Sequence, residues 1–262
     1  MELSWDMLLG GLSPSAFFAT IVITIFAAFV KGTIGFAMPL IMISSFAAFM
    51  PPPLALAALV LPTVVTNCQQ AFRQGGGATW TTVLKYRRII SMLMLFTVVS
   101  AQFLLVMPTW LLMALLGVPV TAFALSQLTG RQLRLQLRHQ RGAEYGFGTV
   151  AGLYGGISGV WGPPVVIYLV SVDAEKREAI RVQGVIFLIG SLVLLAAHLQ
   201  SGVLNAETVG LSTALIVPAL LGMWLGFRLQ DWLNQDLFRR WTLILLAMTG
   251  LNLIRQAIVP FL

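Results

Sequence analysis

The sequence predicts an all-α polytopic membrane protein built from two inverted repeats. Of the 262 residues, 58% are hydrophobic and only 10% are charged, whereas about a quarter of a soluble domain is charged. The mean hydropathy is +0.90, and several apolar segments of about 20 residues have uncharged centres, as bilayer-crossing helices do. An unusual broken apolar segment also occurs twice, which indicates a duplicated unit.

The first broken segment, residues 31–39, reads Lys-Gly-Thr-Ile-Gly-Phe-Ala-Met-Pro within the otherwise apolar residues 14–50. Its flanking stretches, 17–30 and 40–50, are each too short to cross a core of ~30 Å at ~1.5 Å per residue. We therefore expect two half-helices. The second should start at Pro39, because proline suits the first turn of a helix.

The second broken segment, residues 155–163, reads Gly-Gly-Ile-Ser-Gly-Val-Trp-Gly-Pro. An offset of 124 residues relates it to the first at three places, giving Gly156, Gly159 and the half-helix start Pro163. Freed backbone groups survive in a bilayer only inside protein or beside a wet cavity. Because a half-helix N-terminus favours an anion, the two breaks are predicted to form a midplane anion site.

Each repeat is predicted to be a re-entrant hairpin plus three transmembrane helices. An odd number of crossings turns the second repeat upside down relative to the first. The first repeat covers residues 1–130, with hairpin 14–50 and spans 54–72, 89–107 and 110–128. After a basic cytoplasmic linker at 131–144, the second repeat covers 145–262, with hairpin 145–172 and spans 182–199, 208–227 and 238–259.

Lysine and arginine counts predict the orientation. All 16 of these residues except Lys31 and Arg255 fall in four loops, which are therefore expected to be cytoplasmic. Both termini are then periplasmic in a bacterial inner membrane. The net charge of +7 thus indicates orientation, so no nucleic-acid partner is expected.

The expected partners are a small anion and the lipid bilayer, and the sequence is compatible with a homo-oligomer. A single cysteine excludes a multi-cysteine metal site. Neither a metal nor a cofactor is predicted. All nine carboxylates fall in predicted loops or at span ends, so no buried acidic proton relay is expected.

The doubled motif Gly-x-x-Gly-x-x-x-Pro, in an apolar chain with a basic central loop, resembles the sulfite exporter TauE/SafE family, the TSUP permeases. The resemblance covers residues 17–259 and implies a transporter, more specifically an exporter, of sulfite, sulfonates or sulfoacetate by alternating access. It carries the motif glycines onto Gly32, Gly35, Gly156, Gly159 and Gly162. The chain departs from the family's glycine-rich run at residues 36–38 and 160–161, which indicates a bulkier pocket.

Lys31 is the leading candidate for substrate contact, because a charge deep in the bilayer is costly and is usually functional. The alternative is that its long stem snorkels to the surface. Thr33 and Ser158 would donate hydroxyls to a sulfonate or would satisfy the kinked backbone. Asn67 and Gln70 share a helix face and would line the pathway or pair between helices.

The remaining predicted substrate-binding residues flank the breaks or begin a later span. For the glycines, tight helix packing is the competing role, as in small-xxx-small motifs. Phe36 and Trp161 would wall the pocket or simply pack. The full set of these residues is Gly32, Gly35, Phe36, Gly156, Gly159, Trp161 and Gln183.

Three competing function classes fit parts of the sequence. Residues 156–159 read Gly-Ile-Ser-Gly, which matches the signature of rhomboid intramembrane serine proteases, and His198 would supply a base. The first repeat has Gly-Thr-Ile-Gly at the equivalent place, however, so the glycines do not depend on that serine. An anion channel and a non-transporting assembly factor would also be apolar, polytopic chains. The sequence favours a transporter rather than an enzyme.

Overall fold

A computed structural model describes residues 11–46, 48–102, 108–130, 140–158 and 161–259, which form twelve helices and no strand. This confirms the all-α fold class. The helices are α1 (Pro14–Ile34), α2 (Met38–Phe46), α3 (Pro52–Phe72), α4 (Gly76–Lys85), α5 (Arg87–Gln102), α6 (Thr109–Leu128), α7 (Gln140–Ser158), α8 (Gly162–Ser171), α9 (Lys176–Gln200), α10 (Val209–Ala214), α11 (Ile216–Trp232) and α12 (Gln235–Ile258).

Five helical stretches within the described ranges are long and apolar enough to cross a membrane. They confirm a polytopic membrane protein. The stretches are Pro14–Ile34, Pro53–Phe72, Lys176–Gln200, Val209–Trp232 and Gln235–Ile258.

The chain folds as two compact units that each combine parts of both sequence halves. Unit 1 consists of Met1–Gly75 and Phe187–Leu233, and unit 2 consists of Gly76–Ile186 and Asn234–Leu262. The division into repeats at 1–130 and 145–262 concerns sequence ancestry, and it stays a prediction.

In unit 1, helix α1 packs closely against α11 through glycines. A Cβ added at Gly32 would lie 2.5 Å from the Met223 carbonyl oxygen and 3.0 Å from the Gly226 Cα. In the opposite direction, a Cβ at Gly226 would overlap the Phe29 carbonyl oxygen. Small residues therefore let the two backbones approach each other, as they commonly do in membrane helices.

The first break is shorter than the sequence indicated. Helix α1 continues to Ile34, so the predicted half-helix 17–30 is wrong and α1 has 21 residues. Only residues 35–37 leave the helix, with Gly35 at φ 94° and Ala37 at φ 78°. The helix continues because Gly32 packs directly against α11, and the residues from Gly32 to Ile34 are buried. Pro39 is the second residue of α2 rather than its start.

Pro62 lies inside α3, and a serine of α10 compensates for it. Proline has no N–H, so the Ala58 carbonyl loses its donor one turn later. The Ser212 hydroxyl donates to the Ala58 oxygen at 3.4 Å and accepts from the Leu61 N–H at 3.2 Å. Both main-chain groups are therefore satisfied inside unit 1.

In unit 2, helix pairs α5–α7 and α6–α12 also meet at glycines. A Cβ at Gly148 would lie 2.7 Å from the Ile89 carbonyl oxygen, and one at Gly117 would lie 3.0 Å from the Gly250 carbonyl oxygen. Glycine-mediated packing therefore recurs in both units.

Several helices begin earlier than predicted. The second hairpin begins at Gln140 instead of 145, α9 begins at Lys176 instead of 182, and α12 begins at Gln235 instead of 238. The predicted loop 73–88 also contains helix α4. The missed turns carry polar or charged residues, so a search for long apolar runs does not detect them. The predicted span 208–227 corresponds to the membrane-length stretch Val209–Trp232, which Leu215 divides into α10 and α11.

Candidate functional site

The Lys31 ammonium lies in the interior of unit 1. Lys31 is in the last turn of α1, and its side chain is only 1% exposed. Its Nζ donates to the Thr66 hydroxyl oxygen at 2.8 Å and to the Asn67 amide oxygen, both on α3. The lysine therefore does not snorkel to a surface in this structure.

Neighbouring groups fix both acceptors in place. The Thr66 hydroxyl donates to the Pro62 carbonyl at 2.7 Å, which leaves its lone pairs for Lys31. The Asn67 Nδ2 group donates to the Phe187 carbonyl at 2.9 Å and to the Ser191 hydroxyl oxygen at 3.1 Å. These bonds orient the Asn67 amide oxygen toward the ammonium.

Lys31 has no acidic partner among the residues that the structure describes. Ion pairs between described residues include Arg73 with Asp231, Lys85 with Glu178, Arg88 with Glu144 and Arg239 with Asp173. An ammonium has three protons to donate, and two of them have acceptors. Burial without a counter-charge disfavours the protonated form of Lys31, and an anion at Nζ would stabilise that form.

The first break lies beside this lysine. The Gly35 N–H bonds to the Lys31 carbonyl at 2.6 Å, and the Gly35 carbonyl accepts from Gln70 Nε2 at 3.0 Å. Thr66 Oγ1 lies 3.6 Å from the sulfur of Met38, the first residue of α2. The structure thus brings together four predicted residues, which are Lys31, Gly35, Asn67 and Gln70.

Sequence reasoning missed Thr66 and Ser191 as parts of this cluster. Thr66 precedes Asn67 in the polar end of the span, but hydroxyls in membrane helices usually bond to their own backbone. Ser191 lies 124 residues after Asn67, the same offset that relates the two breaks. Applying that offset to Asn67 would have pointed to Ser191.

Thr33, Gly32 and Phe36 make packing or backbone contacts in this structure. The Thr33 hydroxyl donates to the Phe29 carbonyl at 2.9 Å. Gly32 faces α11, and Phe36 is buried within the break. The contacts of these three residues are therefore those of packing and backbone satisfaction.

The second break belongs to unit 2 and is partly outside the described residues. Gly156 and Ser158 end helix α7, but their side-chain environment and the whole of Gly159 lie outside the described part of the chain. Trp161 is buried, its Nε1 donates to the Thr97 hydroxyl at 3.3 Å, and its indole occupies the space beside Gly155. Trp161 therefore walls the end of α7.

Gln183 lies in unit 2, where it lines a small cavity with Thr242 and Arg239. The Gln183 Oε1 and Thr242 Oγ1 atoms are both buried, and neither has a hydrogen-bond partner among the described residues. Two such polar atoms are enough to hold an ordered water. Gln183 is thus a buried residue of unit 2 that lines this cavity.

Glu144 corrects the expectation that no carboxylate is buried. This residue is 4% exposed because α7 begins before it and packs on α5 and α8. It pairs with Arg88 at 3.1 Å and accepts from the Tyr168 hydroxyl at 3.4 Å. Tyr86 lies between α4 and α5, outside the membrane-spanning helices. Burial and the nearby Glu178 carboxylate raise the pKa of its hydroxyl group. Glu144 is thus a buried carboxylate in unit 2 that is held by an arginine and a tyrosine.

Comparison with known proteins identifies the family. The family described as "Sulfite exporter TauE/SafE" matches residues 20–253. No curated protein and no solved structure matches the chain significantly. Proteins of this family are membrane transporters rather than enzymes, which removes the serine protease hypothesis. The chain, with its buried lysine beside a broken helix, therefore belongs to the sulfite exporter TauE/SafE family.

Proposed function

We propose that this protein carries small sulfur-containing anions such as sulfite or sulfonates out of the cell, and that Lys31 provides the positive charge that binds them. The observation that carries the proposal is the buried Lys31 ammonium, which has two neutral acceptors and no carboxylate partner among the described residues. An anion that accepts the third proton would compensate for the charge.

The burial of Lys31 supports a carrier rather than an open channel. With the side chain 1% exposed, an anion reaches Nζ only after the surrounding packing opens. The core of unit 1 includes four methionines, Met38, Met42, Met50 and Met223. Methionine is flexible and adapts to changed packing, which suits a site that must open and close.

The repeat architecture belongs to the same proposal. The offset of 124 residues carries α1 onto α7 and α5 onto α11. Helix α1 packs on α11 within unit 1, and α5 packs on α7 within unit 2. The Asn67–Ser191 hydrogen bond joins residues with the same offset. These pairings support a duplicated unit. That the two repeats are inverted, with both termini periplasmic in a bacterial inner membrane, is the further part of the proposal and rests on the lysine and arginine distribution.

The membrane potential is the proposed driving force. Outward movement of one negative charge from a negative interior gains about 2.3 kcal/mol per 100 mV. Glu144 is paired with Arg88 and is bonded by Tyr168, so it is assigned a structural role rather than that of a free proton relay.

The deciding experiment compares Lys31→Met with Lys85→Met. Methionine is close to lysine in shape and keeps an unbranched apolar side chain, but it lacks the terminal amine and its charge. Lys85 is a matched control because its side chain is 55% exposed and lies at the end of α4. Thermal stabilisation by methanesulfonate and by sulfite is measured in detergent, followed by flux in proteoliposomes.

We expect Lys31→Met to lose about 1.5–3 kcal/mol of anion binding, the worth of a hydrogen bond to a charged group, which is about 10- to 150-fold. Lys85→Met should bind as the wild type does. Equal anion affinity in Lys31→Met and the wild type would refute the role of Lys31. Failure of both anions to stabilise the wild type would refute anion binding.

A further inference from the structure

We infer that the Lys31 site selects anions with a single negative charge over anions with two. This inference rests on the proposed function and adds the charge class of the substrate. The observation behind it is the balance of charge around Lys31, which is one positive charge held by uncharged groups.

Lys31 is the only buried cation among the described residues. The described part of unit 1 contains two arginines, Arg73 and Arg228, and both are at least partly exposed to solvent. Arg73 is paired with Asp231. A singly charged anion at Nζ would therefore form a neutral buried pair. An anion with two charges would leave one negative charge buried without compensation.

The side-chain hydrogen-bond donors beside Lys31 are uncharged groups that already bond to protein acceptors. Both protons of Asn67 Nδ2 have acceptors, which are the Phe187 carbonyl and the Ser191 hydroxyl. Gln70 Nε2 donates to the Gly35 carbonyl. The Thr66 hydroxyl donates to the backbone of its own helix. Among the described residues of this cluster, Lys31 is thus the one donor that carries a charge.

The free-energy cost of burying charge rises with the square of the net charge left uncompensated, and it is large in a low-dielectric interior. The substrate class that fits this cluster is therefore a sulfonate with one ionised group, or bisulfite. Sulfate, doubly ionised sulfite and sulfoacetate belong to the class that it disfavours.

The test uses two ligands of nearly equal shape, sulfoacetamide with one charge and sulfoacetate with two. Dissociation constants for the wild-type protein are measured in detergent, at a pH where both acid groups of sulfoacetate are ionised. We expect sulfoacetamide to bind about tenfold more tightly or better. Equal or tighter binding of sulfoacetate would overturn the inference.

A variant separates charge from shape. Gln70→Lys adds a second cation next to Gly35, and it should narrow or reverse the preference for sulfoacetamide. An unchanged ratio in the folded variant would mean that shape sets the preference, which also overturns the inference. If Gln70→Lys does not fold, the wild-type comparison decides alone.

The failure of this inference can be distinguished from failure of the proposed function. A wild-type preference for sulfoacetate, together with loss of binding in Lys31→Met, would overturn the charge selection and keep Lys31 as the anion site. Equal binding of sulfonates by Lys31→Met and the wild type would refute the site itself, and the charge selection with it.

Discussion

Replacement of Gly32 by alanine tests whether this glycine serves helix packing or substrate binding. The new Cβ would lie 2.5 Å from the Met223 carbonyl oxygen, whereas ordinary contact begins at 3.4 Å. The α11 backbone would have to retreat by the difference, 3.4 − 2.5 = 0.9 Å. It would also meet the Gly226 Cα at 3.0 Å and the Phe227 nitrogen at 3.1 Å.

All three contacts are with backbone, which cannot rotate away as a side chain can. Overpacking of this kind costs about 3 kcal/mol at the upper end of its range. Alanine gains about 1 kcal/mol over glycine in a helix interior. The Gly32→Ala variant should therefore be destabilised by about 2 kcal/mol, measured by unfolding in one detergent.

Gly146→Ala is the matched control, because Gly146 is also helical and nothing lies within 4 Å of an added Cβ. It should gain up to about 1 kcal/mol from helix propensity alone. A Gly32→Ala protein that is as stable as the wild type, while Gly146→Ala gains stability, would refute the packing role. Anion affinity measured on the folded Gly32→Ala protein then reports any direct part in binding.

Two further substitutions test the buried polar contacts. Ser212→Ala leaves the Ala58 carbonyl without its donor and should lower the free energy of unfolding by about 1–3 kcal/mol, measured by chemical denaturation. Arg88→Met leaves the buried Glu144 carboxylate without its cation and should lower the unfolding midpoint on heating, and adding Glu144→Gln should restore part of it.

The control for Ser212→Ala comes from an exposed position, and the control for Arg88→Met is the double variant. Ser91 is exposed and bonds to the backbone of its own helix, so Ser91→Ala should leave unfolding unchanged. An equal loss in Ser91→Ala and Ser212→Ala would contradict the role of Ser212. A double variant no more stable than Arg88→Met would show that the unpaired carboxylate is not the cause of the loss.

The features that could be predicted from sequence are those that membrane-spanning segments rarely contain. A helix interrupted by glycine and proline, and a lysine within an apolar run, are rare in lipid because they are costly. They therefore drew attention to Lys31 and Gly35. Asn67 and Gln70 could be predicted as a pair because one helix face carries both, and both lie in the Lys31 cluster.

The features that were missed depend on which helix packs beside which. The helix through Lys31 does not stop where its glycine appears, because Gly32 fits against α11. Glu144 looked like a loop residue, but it is buried because α7 begins earlier and brings it to Arg88 and Tyr168. The local sequence does not show that α11 lies beside Gly32, or that Arg88 and Tyr168 lie beside Glu144, because these partners come from other parts of the chain.

The sequence by itself determined the membrane class, the family resemblance, and the presence of a lone charge beside a broken helix. Those properties follow from composition and local pattern. Only the tertiary structure decided that Lys31 is enclosed, which neutral groups hold it, and that no described carboxylate pairs with it. The physical reason is that the state of a buried charge is set by the groups that folding places within a few ångströms.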